Sequence, residues 1–146
     1  LGMFSPRIEE ARVPKYRRLV PIDDTKASLE ERSRSYLDAN CAHCHRPGNT
    51  LRSAFDARYD TRLAEQHLLD AATVSDSLNV VNPRVIAPHD VGRSMLYQRM
   101  TRFDNFRMPP LATNVRDRAA LAVLEEWIRS LPAPGQRKMS RKEAKK

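Results

Sequence analysis

Ser35-Tyr36-Leu37-Asp38-Ala39-Asn40-Cys41-Ala42-His43-Cys44-His45-Arg46-Pro47-Gly48 holds both cysteines of the chain, three places apart, with a histidine directly after the second. Upstream, Ser28-Leu29-Glu30-Glu31 is a capping box, in which the serine hydroxyl and the carboxylate three places on satisfy each other's free backbone donors. A helix is therefore predicted from Ser28 through Tyr36 and Leu37, ending near Cys41. Downstream, the strongest periodic segment is Val115, Ala119, Ala120, Val123, Leu124, Trp127, Ile128 and Leu131, three and four apart on one helical face. Thr113 or Asn114 is its predicted cap and Pro132 its stop. A shorter helix is predicted from Ser94 to Arg102, with Met95, Leu96, Met100 and Phe103 at helical spacing. Between Asp56 and Asp90 the pattern weakens to a short helix around Leu63 to Ala72 and an extended piece around Val80 to Ala87. No internal repeat is present.

The length of 146 residues fits one compact domain with tails and leaves no room for a large two-domain enzyme. Hydrophobic residues are 40% and aromatics 6%, a thin allotment for a core, which a cofactor filling part of the interior would relieve. No apolar run approaches the roughly 18 residues of a membrane helix. The net charge of +8 sits at the ends: Arg137, Lys138, Arg141, Lys142, Lys145 and Lys146 against Glu143 give +5, and residues 1–20 give +3. Residues 21–136 balance 15 basic against 15 acidic groups, so the body lacks the basic face that nucleic-acid binding needs.

The chain opens on Leu1-Gly2-Met3-Phe4-Ser5-Pro6, without the charged start or apolar stretch of a secretory signal. A piece excised from a longer protein is the expectation. Residues 1–27, with Pro6, Pro14 and Pro21 among charges, read as an extended linker, residues 28–132 as the domain, and residues 133–146 as a basic, disordered, solvated tail after Pro132-Ala133-Pro134-Gly135.

Cys41-Ala42-His43-Cys44-His45 has the spacing of a c-type haem attachment motif. On a helical turn, two sulfurs three residues apart can each form a thioether with one porphyrin vinyl group, and the following histidine projects its imidazole to the iron. Three other readings compete. A zinc site needs four ligands, and His43, His45, His67 and His89 do not form a second spaced pair. A thioredoxin-like redox pair expects a βαβ setting that the helical pattern does not provide. A Cys41–Cys44 disulfide is awkward on a helix and leaves His45 unexplained.

A haem on His45 needs a sixth ligand, whose identity separates an electron carrier from a catalyst or sensor. Met108, in Arg107-Met108-Pro109-Pro110-Leu111, is the leading candidate, because two prolines stiffen the loop that would present its thioether. Its bland alternative is a loop methionine packed on the core. Met95 and Met100 read as core residues of an amphipathic helix, and His67 and His89 as surface or turn histidines that would otherwise give a bis-His iron.

At these residues the sequence resembles a class I cytochrome c domain from about Leu29 to Leu131: first helix, C-x-x-C-H, intermediate helix, Met-Pro loop, long last helix. More narrowly, residues 35–48, Ser53-Ala54-Phe55-Asp56, Ser94-Met95-Leu96-Tyr97-Gln98-Arg99-Met100 and Arg107–Leu111 are similar to cytochrome modules at the C-terminal end of larger bacterial proteins. In several of those the preceding part resembles a glucose or sorbosone dehydrogenase-like β-propeller, a quinoprotein sugar dehydrogenase. Two departures stand out. Pro88-His89-Asp90-Val91 replaces the subgroup's Gly-Asp-Pro turn. Ala54-Phe55-Asp56-Ala57 lies where the class I pattern has a proline whose carbonyl orients the imidazole.

The resemblance implies an all-α, class I cytochrome c-like domain with an irregular insertion between the haem motif and the Met loop. Cys41 and Cys44 would be the thioether anchors of one covalent haem c, with His45 the proximal and Met108 the distal iron ligand. Tyr36 and Trp127 match the crossing of the first and last helices, as core and not chemistry. The implied function is one-electron transfer with no enzymatic turnover of its own, from a fused or partner dehydrogenase to a downstream acceptor. Ala42, His43, Arg46 and Pro47 would then face the partner, and one or more of Arg46, Arg52, Arg58, Arg62 and Arg107 would pair with haem propionates. A haem enzyme or gas sensor with an open or bis-His iron is the alternative, and a basic interaction module using residues 137–146 is a third. Covalent haem attachment needs exported, reduced cysteines, so a bacterial periplasm or outer surface is expected.

Overall fold

The computed structural model describes residues 9–49 and 55–132. The expectations for residues 1–8, for Arg52, Ser53 and Ala54, and for the tail at 133–146 therefore lie outside the described residues. All regular elements among the described residues are helices: a 3₁₀ helix at Glu10–Lys15, α1 (Leu29–Cys41), α2 (Met95–Met100) and α3 (Arg118–Ser130). The 3₁₀ helix corrects the reading of residues 1–27 as uniformly extended. Its i→i+3 bonds include Arg12 N–H to Glu9 O at 2.9 Å and Tyr16 N–H to Val13 O at 3.2 Å, with Pro14 inside the helix.

α1 starts on its capping box: Glu31 N–H donates to Ser28 Oγ at 3.2 Å, and Ser28 N–H donates to the Glu31 carboxylate at 3.0 Å. Those bonds hold the Glu31 carboxyl below its ordinary pKa. Its buried face is mostly small, with Ser33, Ser35 and Leu37 inside, so that α1 packs directly against α3. Two further groups tie α1 to the loop after the Cys41–His45 segment. Arg34 Nη2 donates to Tyr59 O at 2.7 Å and Thr61 O at 2.6 Å, and Asp38 accepts from Tyr59 N–H at 2.7 Å.

α3 buries Ala120, Leu121, Val123, Leu124, Trp127 and Ile128. It begins one turn later than the periodicity predicts. Its cap is Asp117, whose carboxylate accepts Ala120 N–H at 2.9 Å, where a full negative charge meets the helix's positive end. Thr113 is spent elsewhere, donating its hydroxyl to Pro109 O at 2.8 Å. Val115 is consequently 81% exposed, and Ala119 is exposed as well. At the other end, His89 closes α3. Its N–H donates to Ile128 O at 2.9 Å, and Nδ1 lies 2.7 Å from Arg129 O, so the tautomer there must carry the Nδ1 proton. That assigns His89 a structural task.

Residues 56–90 hold turns and isolated bridges in place of the predicted helix at 63–72. Gln66 N–H reaches back to Arg62 O at 3.1 Å, and His67, at φ +52°, ends that single turn. Residues 68–72 instead pair with 84–87, with Ile86 N–H to Leu68 O at 3.0 Å and Val85 N–H to Ala71 O at 2.9 Å. Leu68, Val85 and Ile86 thereby join Leu37, Trp127 and Ile128 in one core. The same segment starts α2: Met95 N–H donates to Arg84 O at 2.8 Å and Leu96 N–H to Val85 O at 3.0 Å. The extended reading of 80–87 is confined to its second half, where Arg84, Ile86 and Ala87 form isolated bridges, while residues 81 and 82 bend. Phe103, expected inside, is 48% exposed beneath the Arg116 guanidinium.

Candidate functional site

The backbone makes one further turn after α1: Cys41 O accepts Cys44 N–H at 3.0 Å and His45 N–H at 2.8 Å. This turn distributes the five motif residues to different surroundings. Ala42 enters the core at 6% exposure, which removes it from the predicted partner-contact set, while His43, Arg46 and Pro47 are exposed. Both thiols are free. Cys41 and His45 line one cavity and Cys44 a second.

His45 is held from two directions. Its carbonyl accepts Ala57 N–H at 2.8 Å, and its ring stacks on Phe55 with centroids 4.3 Å apart and planes 10° from parallel. Burial, with His43 nearby, lowers the imidazole pKa and favours the neutral ring whose lone pair can bind a metal. Burial, then the neighbouring Cys44, pushes the Cys41 thiol up to about 12. Behind Phe55, Asp56 is buried. Burial alone would raise its pKa, but hydrogen bonds from Arg58 and Thr61 outweigh that and hold it at about 2.

The first cavity encloses ≈ 850 Å³ including its mouth, and its wall is largely apolar: Phe55, Val85, Met95, Leu96, Met100, Met108 and Pro109 join Cys41 and His45. The second, of ≈ 1050 Å³, is lined by His43, Cys44, Leu111 and Val115, and shares Tyr36, Asn40, Met100, Met108 and Pro109 with the first. Met108 thus borders both spaces. Its N–H donates to Arg99 O at 3.0 Å, which fixes the loop to the end of α2. Tyr36, expected only as core, is a cavity wall. Its hydroxyl is pushed up to about 12 by burial and by the Asp117 carboxylate. Trp127 is core, at 2% exposure.

Met95 and Met100, expected as core, also line the first cavity. His67 is exposed and His89 caps α3, and neither lines either cavity. Among the described residues no group of three or more His, Cys, Asp or Glu side chains converges as a metal site of that kind.

Of the arginines singled out from sequence, Arg52 lies outside the described residues, Arg46 is exposed, Arg107 keeps a buried Nε without a partner among the described residues, and Arg58, Arg62 and Arg107 all bond to nearby groups. Arg58 forks onto Asp56 at 2.7–3.1 Å, Arg62 pairs with Glu65, and Arg107 Nη1 donates to Asp104 O at 3.1 Å. None of Arg46, Arg58, Arg62 and Arg107 lines a cavity; Arg99 does. Its signal in the sequence is its place four residues after Met95, on the same face of α2 as a buried methionine.

Compared with protein-family models, with curated proteins and with solved structures, the chain returned no match. Among the described residues no helix is long and apolar enough to cross a membrane.

Proposed function

We propose that the chain is a one-electron carrier built on one covalent c-type haem, with Cys41 and Cys44 as thioether anchors, His45 as proximal ligand and Met108 as distal ligand. The observation that carries this reading is that Cys41 and His45 border a single apolar cavity with Met108, which is distant from them in sequence, while Cys44 borders the space adjoining it across Met108. The bound group would supply an Fe(III)/Fe(II) couple, whose potential a His/Met ligand pair and apolar surroundings raise.

The chain's own residues then have assignable tasks. Free thiols at Cys41 and Cys44 are the form that adds S–H across a vinyl group. Phe55 and the Ala57 N–H hold the His45 residue in place, and the bond from Met108 N–H to Arg99 O sets the distal loop. Val85, Met95, Leu96 and Pro109 exclude water from the cavity. The high pKa of Cys41 runs opposite to the lowered value a reactive redox thiol requires. Exposed His43, Arg46 and Pro47 beside the anchors form the face we assign to a redox partner or a fused dehydrogenase, in a bacterial periplasm or at the outer surface.

The test is a visible absorption spectrum, oxidised and reduced, of the chain made in an exporting host with c-type cytochrome maturation, followed by acid extraction of the haem. A low-spin spectrum that survives extraction and carries the far-red band of iron–methionine sulfur is the expected result. Covalent haem without that band moves the reading to an enzyme or sensor with another sixth position. Absence of haem overturns it.

A further inference from the structure

Arg99 is nine-tenths buried, at 9% exposure, and lines the first cavity. Its guanidinium donates from Nη1 to Phe106 O at 3.1 Å, and from Nη2 to Ser75 Oγ at 3.2 Å and Asp76 O at 2.9 Å, with the Phe106 ring centroid 5.9 Å from Cζ. Every one of those acceptors is neutral. A guanidinium carries five N–H donors, so Nε and one Nη1 hydrogen have no partner among the described residues. No carboxylate among the described residues pairs with Arg99; every ion pair there belongs to other side chains. A buried charge left without a counter-ion is costly, and its presence in a cavity wall calls for an anion inside that cavity.

We propose that Arg99 is the carboxylate-binding group of this cavity and that it holds a haem propionate, with the Ser75 hydroxyl beside it. The assignment rests on the haem reading above. It replaces Arg46, Arg58, Arg62 and Arg107, which lie off the cavity, as the counter-charge. Arg99 would act twice on the centre. Its positive charge stabilises the less positive, reduced iron and raises the potential, and its backbone carbonyl positions Met108.

The experiment compares the haem-loaded chain with R99Q and R99K, reading covalent haem by intact mass, midpoint potential by equilibrium titration near neutral pH, and propionate hydrogen bonding by the propionate bending band in resonance Raman. R99Q is expected to keep its covalent haem, to show a lower midpoint potential and to shift the propionate band. R99K, which keeps the charge but loses the planar fork, is expected to recover most of the potential while its band remains shifted. An unchanged propionate band in R99Q overturns the assignment, as does an unchanged potential; the band is the readout that a merely structural clamp on the Met108 loop would leave in place. If R99Q does not fold, R99K decides, and an unshifted band there overturns the assignment. Wild-type chain without haem sinks the functional reading itself, whereas haem-loaded wild type with an indifferent R99Q sinks only the role of Arg99.

Discussion

At the scale of single residues, the site depends on side chains whose surroundings set their chemistry. Met108→Ala removes the only candidate thioether on a proline-stiffened loop. We expect it to retain covalent haem and lose the far-red sulfur band, read in the oxidised absorption spectrum; a band that persists would reassign the ligand to Met95 or Met100, which share the cavity. Asp56 makes a different, pH-dependent contribution. Its carboxyl lies at about 2 against an ordinary 3.8, so its stabilisation is fully present above the ordinary value and disappears as pH falls through about 2. That difference is on the order of 2 kcal/mol. Asp56→Asn should therefore lower the urea midpoint at neutral pH and show a smaller loss of stability than wild type on acidification. Equal acid sensitivity of the two would rule this out. Of the proposed site, Cys41, Cys44, His45 and Met108 are residue types and spacings that the sequence alone displays. Arg99 was missed, because its one signal, a place four residues after Met95, is weak against the expectation that an arginine on a short helix is solvated.

At the scale of elements, each helix is set by its ends as much as by its apolar face. Ser28→Ala removes one half of the reciprocal cap on α1 and should cost about 1 kcal/mol of unfolding free energy, measured by chemical denaturation. Trp127→Ala, at the centre of the buried face of α3, should cost about 3–5 kcal/mol, enough to unfold a marginal domain, with loss of far-ultraviolet helical signal as the readout. The start of α1 was legible because a capping box is a local signal read over four residues. The start of α3 was displaced from the predicted caps, Thr113 or Asn114, to Asp117, because the choice fell to tertiary contacts. Thr113 bonds the Pro109 carbonyl and Arg116 donates to Thr101 O at 2.7 Å, which leaves the carboxylate of Asp117 to receive the helix donors. The predicted helix at 63–72 failed for a related reason. Leu68 packs into the core and residues 68–72 find backbone partners in 84–87, which outweighs a weak local helical preference.

At the scale of the whole molecule, the charge of +8 resolves into a neutral body and basic ends. Removing residues 137–146 takes +5 away and leaves +3. The expected outcome is an unchanged visible spectrum and midpoint potential, with association to an acidic redox partner slower at low salt and converging on the full-length rate as salt is raised. A rate unchanged at low salt would eliminate these charges from partner docking. Within the body, the irregular stretch of residues 56–90 gives Thr73, Val74, Ser75 and Val85 to the wall of the first cavity and starts α2, so that a stretch poor in regular structure sets the helix that carries Arg99.

The sequence by itself determined the Cys-x-x-Cys-His spacing, the entry helix with its cap, the periodic face of the last helix and the neutrality of the body. These are local or additive properties: spacings within one turn, periodicity within one helix, and sums of charge. Only the tertiary structure decided that Ala42 is buried while His43 is exposed, that His89 closes α3, that Cys41, His45 and Met108 share a cavity, and that Arg99 lines it with no counter-ion among the described residues. Each of those depends on groups far apart in the chain meeting in space, where burial and backbone hydrogen bonds outweigh what any short segment prefers alone.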